Sequence, residues 1–440
     1  MVPVNKSANN KKAWVVGVDM GYGHQRTAYP LESFAFEDKV INANNYAGIP
    51  DNDRNVWELA KNFYEAISDF KKFPFLGNLA FGILEKFQRI LSFYPKRDLS
   101  KPNFSLRVIF SFIKNGWGKD LILKLEKNPL PLVSTFFTPV FMAELFGYPG
   151  EIYCVICDAD IARTWVSPNP AKSKIKYFAP NSWVVERLKL YGVREENIFL
   201  TGYPLPLENT GSENLEIAKI DLAYRLLNLD PKKIYRKEYD PLIEKYIGIL
   251  PEKPDHPLTI MFSVGGAGAQ KEIVVKYVRS LAQKIKNREI KVILMAGTRK
   301  NVYKYFLDNL KIIGLEDNLD KNIEIVFADT VGEYFLKFNQ KLRKTDVLWT
   351  KPSELSFYTA LGVPIIIAPP LGSQEIFNRR WLLRTGSAID QDNPNYADQW
   401  LFDLLANGSL AEAAMEGFVE AEKLGTYKIK KIIFKKLLRR

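Results

Sequence analysis

Two glycine-bearing turns, one histidine and a short run of amides and a carboxylate are the residues of this chain whose types and spacing bear on chemistry. Gly21-Tyr22-Gly23-His24 follows the apolar run Ala13 to Val18, and Gly265-Gly266-Ala267-Gly268 follows Leu258 to Val264. Each reads as a strand ending in a tight turn that opens a helix. Glycine lets a ligand approach the backbone, and a helix start offers unpaired N–H groups with a partial positive charge, so such turns suit phosphate or a developing anion. His24 has an imidazole whose ordinary pKa lies near neutrality, which suits proton transfer, although a lone histidine at a turn is more often solvated or structural. Gln374-Glu375-Ile376-Phe377-Asn378 carries groups that bind hydroxyls bidentately, and equally groups that cap a solvated helix.

Apolar runs of strand length alternate with segments of helical period almost throughout, the signature of parallel sheets wound with helices. In the first half strands are expected at Ala13 to Val18, Lys39 to Ala43, Leu132 to Phe137, Ile152 to Cys157, Lys176 to Phe178 and Asn197 to Leu200. In the second half they are expected at Leu258 to Val264, Lys291 to Met295, Ile323 to Phe327, Val347 to Trp349 and Pro364 to Ile367. The fold class is therefore α/β, with two Rossmann-like doubly wound domains facing a central cleft. The expected divisions are 1–207, a charged insertion at 208–255 punctuated by four prolines, a second domain at 256–395, and C-terminal helices at 396–440.

At 440 residues the chain exceeds what one core usually organises, which agrees with two domains. Its net charge is +12, and the last fourteen residues hold seven Lys or Arg and no acid, so more than half of the excess is local. That argues against a nucleic-acid protein with a broad phosphate-binding face. Met1 to Lys12 has no apolar core, and Pro129 to Ala143 is too short and too proline-interrupted to span a bilayer, so a cytoplasmic protein is expected. Cys154 and Cys157 are the only cysteines; with two histidines in the whole chain they read as buried structural thiols rather than a metal site.

Taken in order, Asp19 to His24, Asp158 to Trp165, Thr201-Gly202-Tyr203-Pro204, Gly265 to Ala269, Thr350-Lys351-Pro352, Thr359 to Pro364 and Gln374 to Asn378 resemble one superfamily. The chain is similar to GT-B glycosyltransferases related to monogalactosyldiacylglycerol synthase, the processive diacylglycerol glucosyltransferases and the bacterial peptidoglycan GlcNAc transferase, from about residue 13 to about residue 390. The resemblance implies an inverting, metal-independent transfer from a nucleotide-diphosphate sugar, UDP-linked by preference, to a hydroxyl of a lipid or amphiphilic acceptor, with no further cofactor. It implies that His24 is the general base. Gly265, Gly266, Ala267, Gly268, Lys351, Glu354, Gln374, Glu375 and Asn378 would hold the donor; Gly21, Gly23, Asp158, Asp160 and Trp165 would line the acceptor side.

Two departures bear on substrate. The relatives' nucleoside-binding Glu is replaced by Phe357, with Glu354 nearby, and a His four residues after Asp158 is replaced by Ala162. A nucleotide-sugar epimerase or hydrolase, or a non-catalytic relative, is the alternative reading. Two segments point to peripheral contact with an anionic membrane at its inner face or else to packing: the apolar stretch Phe73 to Tyr94, and the tail Tyr427 to Arg440, with Ile429, Ile432, Ile433 and Leu437 on one helical face.

Overall fold

The computed structural model describes residues 11–70, 89–263, 268 and 270–435. Six short strands build the first sheet: β1 (Trp14–Gly17), β2 (Ile41–Asn42), β3 (Leu132–Ser134), β4 (Ile152–Val155), β5 (Lys176–Ala179) and β6 (Ile198–Leu200). Six more build the second: β7 (Thr259–Ser263), β8 (Lys291–Gly297), β9 (Ile323–Phe327), β10 (Val347–Thr350), β11 (Ile365–Ile367) and β12 (Ala388–Asp390). Every pairing is parallel, in the orders β2-β1-β3-β4-β5-β6 and β12-β11-β10-β7-β8-β9. Strands buried on both faces explain the near-continuous apolar runs, because helices must cover both sides of a parallel sheet.

The strand order reverses between β1 and β3 in the first sheet and between β7 and β10 in the second. At such a switch point the connections leave in opposite directions and open a crevice beyond the carboxyl ends of the strands. The turn at Gly21 follows β1 and stands at the first switch point; of the second glycine run Gly268, after β7, is described. The expected strand Leu132 to Phe137 stops at Ser134, and Phe137–Leu145 is a helix instead. Strand β12 has no counterpart in the sequence expectations, since Ala-Ile-Asp is too short and too mixed to announce itself.

Residues 208–255 fold into short helices, of which Glu216–Leu229 lies against the second domain. Its buried Arg225 donates to the carbonyl oxygens of Thr345 at 2.7 Å, Leu361 at 3.1 Å and Gly362 at 3.0 Å. At the opposite end of the second sheet from the cleft, His256 lies between Asp255 and Asp346, and Asp346 also accepts from the Thr259 amide at 2.8 Å. Burial disfavours the charged ring, but the two carboxylates outweigh it and raise the His256 pKa above its ordinary 6.5. A group whose folded pKa is raised stabilises fully below its unfolded pKa and loses that contribution as pH climbs through the folded value. His256→Gln should therefore cost about 1–2 kcal/mol at pH 6 and progressively less above neutrality, measured by urea unfolding across pH. An equal cost at pH 6 and pH 9 would show that the ring's charge is irrelevant.

Alternate residues of the first sheet face opposite ways. Ala13, Val15, Val133, Tyr153, Val155 and Phe178 form one apolar face, and the last helix, Gly425–Lys435, returns from the second domain to cover it with Ile429, Ile433 and Phe434. Phe434 meets Phe34 edge to face at 5.8 Å. The described part of the tail is thus a helix packed on the first domain through Ile429, Ile433 and Phe434, the packing alternative of the two. Ile433→Val should lower stability by about 0.5–1.5 kcal/mol in vesicle-free solution. An unchanged melting temperature would mean the helix is not docked. Of the apolar stretch Phe73 to Tyr94, residues 71–88 lie outside the described residues; Phe93 is buried against Trp183 at 4.1 Å, while Tyr94 is exposed.

Candidate functional site

The turn after β1 leads into the helix Tyr22–Ala28, whose N-cap Gly21 has φ 104°, a conformation that strains a residue bearing a Cβ. Thr135, directly after β3, grips His24 twice. Its hydroxyl donates to the His24 carbonyl at 2.8 Å, and its own carbonyl lies 3.0 Å from Nδ1. A carbonyl only accepts, so Nδ1 carries the proton and Nε2 keeps its lone pair. Cys157 Sγ lies 3.3 Å from the same Nδ1, and the rings of Phe136 and Trp165 pack around the imidazole at 4.7 and 6.1 Å. Burial lowers the His24 pKa to about 4, against the Thr135 hydrogen bond and the charge of Glu354, which pull the other way. The imidazole is neutral at physiological pH and presents an unprotonated nitrogen.

The same helix also contacts the second domain. Tyr22 OH meets Thr298 Oγ1 at 2.9 Å and accepts from the Thr298 amide at 3.1 Å, beyond the end of β8. Arg26 Nε donates to Glu354 Oε1 at 3.2 Å, and its guanidinium lies 4.4 Å from the Phe335 ring and 4.3 Å from the Phe338 ring. Glu354 Oε2 lies 3.4 Å from where a side chain at Gly23 would begin. Glu354, expected on the donor side, therefore reaches across to the helix that carries His24.

Asp158 and Asn378 make the second bridge. Asn378 is fully buried; its Nδ2 donates to Asp158 Oδ1 at 3.2 Å and to the Pro352 carbonyl at 3.2 Å, while its Oδ1 accepts from the Ala159 amide at 2.7 Å. Burial raises the Asp158 pKa to about 6; the Asn378 amide opposes this, the Glu354 and Glu375 charges add to it, and Lys351 acts against it. Lys351 Nζ donates to Glu375 Oε1 at 2.5 Å, and the Leu371 amide donates to Glu375 Oε2 at 2.6 Å, which fixes the start of the helix Ser373–Arg384 bearing Gln374. Lys351, Glu375, Asn378, Asp158, Glu354, Gly23 and His24 are thus gathered where the two switch points face each other.

Gly265, Gly266 and Ala267 lie outside the described residues. Gly268 has φ +71°, and a Cβ there would lie 2.7 Å from Val302, so only glycine fits the turn. Phe357 is buried, stacked on Tyr203 at 4.9 Å and 10° and packed on Trp381 at 4.9 Å. The departure from the relatives' carboxylate is an aromatic stack that joins the first domain to the second. Ala162 is buried in the turn before Trp165.

Asp160 stands apart from this group. Its carboxylate accepts from Arg187 Nε at 2.8 Å and Nη2 at 2.7 Å, from Trp183 Nε1 at 2.8 Å and from the Ile161 amide at 2.8 Å. Arg163 is likewise spent on the carbonyls of Ser100, Val166 and Ser167. Both groups hold the wall of the first domain. Cys154 sits within β4, whereas Cys157 lies on the turn beyond it, so the pair does not share one strand. Among the described residues no group of three or more His, Cys, Asp or Glu is arranged to hold a metal ion. Sequence reasoning missed Tyr22, Arg26, Thr135 and the placement of Cys157 beside His24. Tyr22 and Arg26 find partners about 276 and 328 residues away, a separation no local pattern encodes.

A model of a domain of unknown function (DUF6938) matches residues 251–332. The processive diacylglycerol beta-glucosyltransferase of Bacillus subtilis (strain 168) is 22% identical over 386 residues, covering 86% of this chain and 83% of that protein. The protein of the same name from Bacillus cereus (strain AH187) is 23% identical over 394 residues, covering 86% and 82%. The crystal structure of Acinetobacter baumannii MurG aligns with 96% of this chain and 99% of its own at a TM-score of 0.47 and 14% identity. The chain is a distant sequence homologue, over most of its length, of the processive diacylglycerol glucosyltransferases.

Proposed function

We propose that this chain is an inverting, metal-independent glycosyltransferase that moves a sugar from a UDP-sugar to a hydroxyl of a lipid or amphiphilic acceptor. The observation that carries it is His24: Nδ1 is held by the Thr135 carbonyl, Nε2 is left unprotonated, and the ring stands at one sheet's switch point facing the other's. His24 Nε2 takes the proton of the acceptor hydroxyl as the oxygen attacks the anomeric carbon. The bond to the diphosphate oxygen breaks, and UDP leaves with the electron pair from the opposite face, which inverts the anomeric centre.

The glycine run Gly265 to Gly268, ahead of the helix Lys271–Ser280, is assigned to the leaving charge, a task that backbone N–H groups perform without a metal. Lys351 adds a cation on the same side, held by Glu375; Gln374 and Glu375 are assigned to the donor sugar, and Trp165 with Asp158 to the acceptor side. The names of the homologues support both the sugar transfer and the lipid acceptor. Peripheral contact with an anionic membrane belongs to this reading through Tyr94 and Phe104, exposed to 65% and 69%, and the neighbouring Lys96, Arg97 and Lys101. No helix among the described residues is long and apolar enough to cross a membrane.

The test is a metal-free titration against UDP, GDP, ADP and dTDP, followed by incubation with UDP-glucose and vesicles containing diacylglycerol. Preference for UDP with glycolipid formation supports the proposal. UDP release or a new UDP-sugar without acceptor would replace it with a hydrolase or epimerase. Failure to bind any nucleotide would replace it with a non-catalytic role.

A further inference from the structure

Glu354 follows β10 in the second domain, yet its carboxylate lies against the helix Tyr22–Ala28 of the first. It is not solvated there: its side chain is 10% exposed and that of its partner Arg26 is 2% exposed. Aromatic rings of Phe335 and Phe338 cover the guanidinium, so the pair sits in a medium that screens charge weakly. Arg26 fixes where the carboxylate points. Among the described residues of the first domain, Asp19 on the preceding turn is paired with Lys61 at 2.8 Å and Asp158 is bonded by Asn378.

Abstracting a proton from an acceptor hydroxyl turns the neutral His24 ring into an imidazolium in a half-buried, aromatic-lined setting, which costs free energy unless an opposite charge is close. The Thr135 carbonyl and the Cys157 thiol meet the ring; Asp158 follows Cys157 in the chain, Arg26 lies on the ring's own helix, and Glu354 bonds Arg26 and approaches Gly23, the residue before His24. Cys157 is held as a neutral thiol by burial, and Asp158 is hydrogen-bonded to Asn378.

We propose that Glu354 is a positioning residue for His24: seating the second domain on the first brings its carboxylate to the imidazole's helix and stabilises the protonated ring that the reaction creates. This rests on His24 being the base. Its consequence is that base strength depends on the two domains being together. With the domains apart the ring has no Glu354 carboxylate on its helix and its protonated form loses that stabilisation, so the acceptor hydroxyl is activated once the donor side is in place. After UDP leaves and the domains part, the imidazolium loses its counter-charge and returns its proton to water.

Glu354→Gln keeps an oxygen for Arg26 and removes the charge. The chain has two histidines, so with His256→Gln as background a single ¹³Cε1 histidine signal reports His24 directly. Titrating that signal downward in pH should show the proton affinity of His24 reduced roughly tenfold by Glu354→Gln. Superimposable curves, two flat ones included, overturn the proposal. In transfer from UDP-glucose to diacylglycerol the variant should lose about tenfold in kcat at neutral pH with KM for UDP-glucose unchanged. A raised KM with kcat intact would make Glu354 a donor-binding residue and overturn it, as would a shifted titration with unchanged kcat. His24→Gln separates the two claims: full activity in that variant removes the base reading itself, whereas the titration of His24 answers the Glu354 question either way.

Discussion

Asp160→Ala should destabilise the protein by about 3–5 kcal/mol, the cost of leaving a buried cation without its partner. Arg187 is fully buried and donates two hydrogen bonds to this carboxylate, and the Trp183 indole and the Ile161 amide donate to it as well. Removing the carboxylate strands four N–H donors and one full charge. The check is urea unfolding of wild type, Asp160→Ala, and the double variant Asp160→Leu with Arg187→Met. The double variant should recover most of the loss, because two apolar side chains bury without an orphaned charge. If Asp160→Ala instead left stability within 1 kcal/mol and abolished transfer, the residue would belong to the acceptor side after all.

The sheets were legible because parallel strands covered on both faces must be apolar along their length. All six strands of the first sheet and five of the second coincide with apolar runs. β12 escaped because its Ala-Ile-Asp carries one large apolar residue and leaves no apolar run, whereas the equally short edge strand β6 is Ile-Phe-Leu. The tail was ambiguous for a different reason. An apolar stripe with lysines around it meets the needs of a membrane surface and of a sheet face equally well. Only the empty apolar face of Val15, Val133, Tyr153 and Phe178 decides between them, and that face is assembled from four separate strands.

Within the site, the turn at Gly21 and its place after β1 were legible since its local geometry is written in adjacent residues. The bridges between domains were not. Arg26 reads as an ordinary helical arginine until four aromatic residues of the second domain surround it, and Asn378 reads as a sugar ligand until its amide is found on Asp158 and on the Pro352 carbonyl. Phe357 shows the same limit from the other side. As a sequence difference it marks a missing nucleoside contact; in the fold it is a stack between Tyr203 and Trp381 that helps hold the domains together. The side chain at this position is committed to packing between the domains.

His24→Gln should reduce kcat for sugar transfer by about 10²–10⁴-fold while leaving KM for the UDP-sugar and the melting temperature nearly unchanged. The stability half of this expectation follows from geometry. A glutamine amide can still donate to the Thr135 carbonyl, and the Thr135 hydroxyl bonds the backbone of residue 24 whatever its side chain. The rate half follows from Nε2, the one polar atom of the ring that the fold leaves uncommitted. An amide cannot accept a proton at neutral pH, so the acceptor hydroxyl must then ionise into water or into Asp158, whose burial and charged neighbours hold it at about 6. That residue gives the variant a distinct signature. If Asp158 takes over, the residual rate should fall on acidification through pH 6, and Asp158→Asn in the His24→Gln background should abolish the remainder. A His24→Gln enzyme with wild-type kcat would show that Nε2 receives no proton in the reaction, and the base would have to be sought at Asp158 alone.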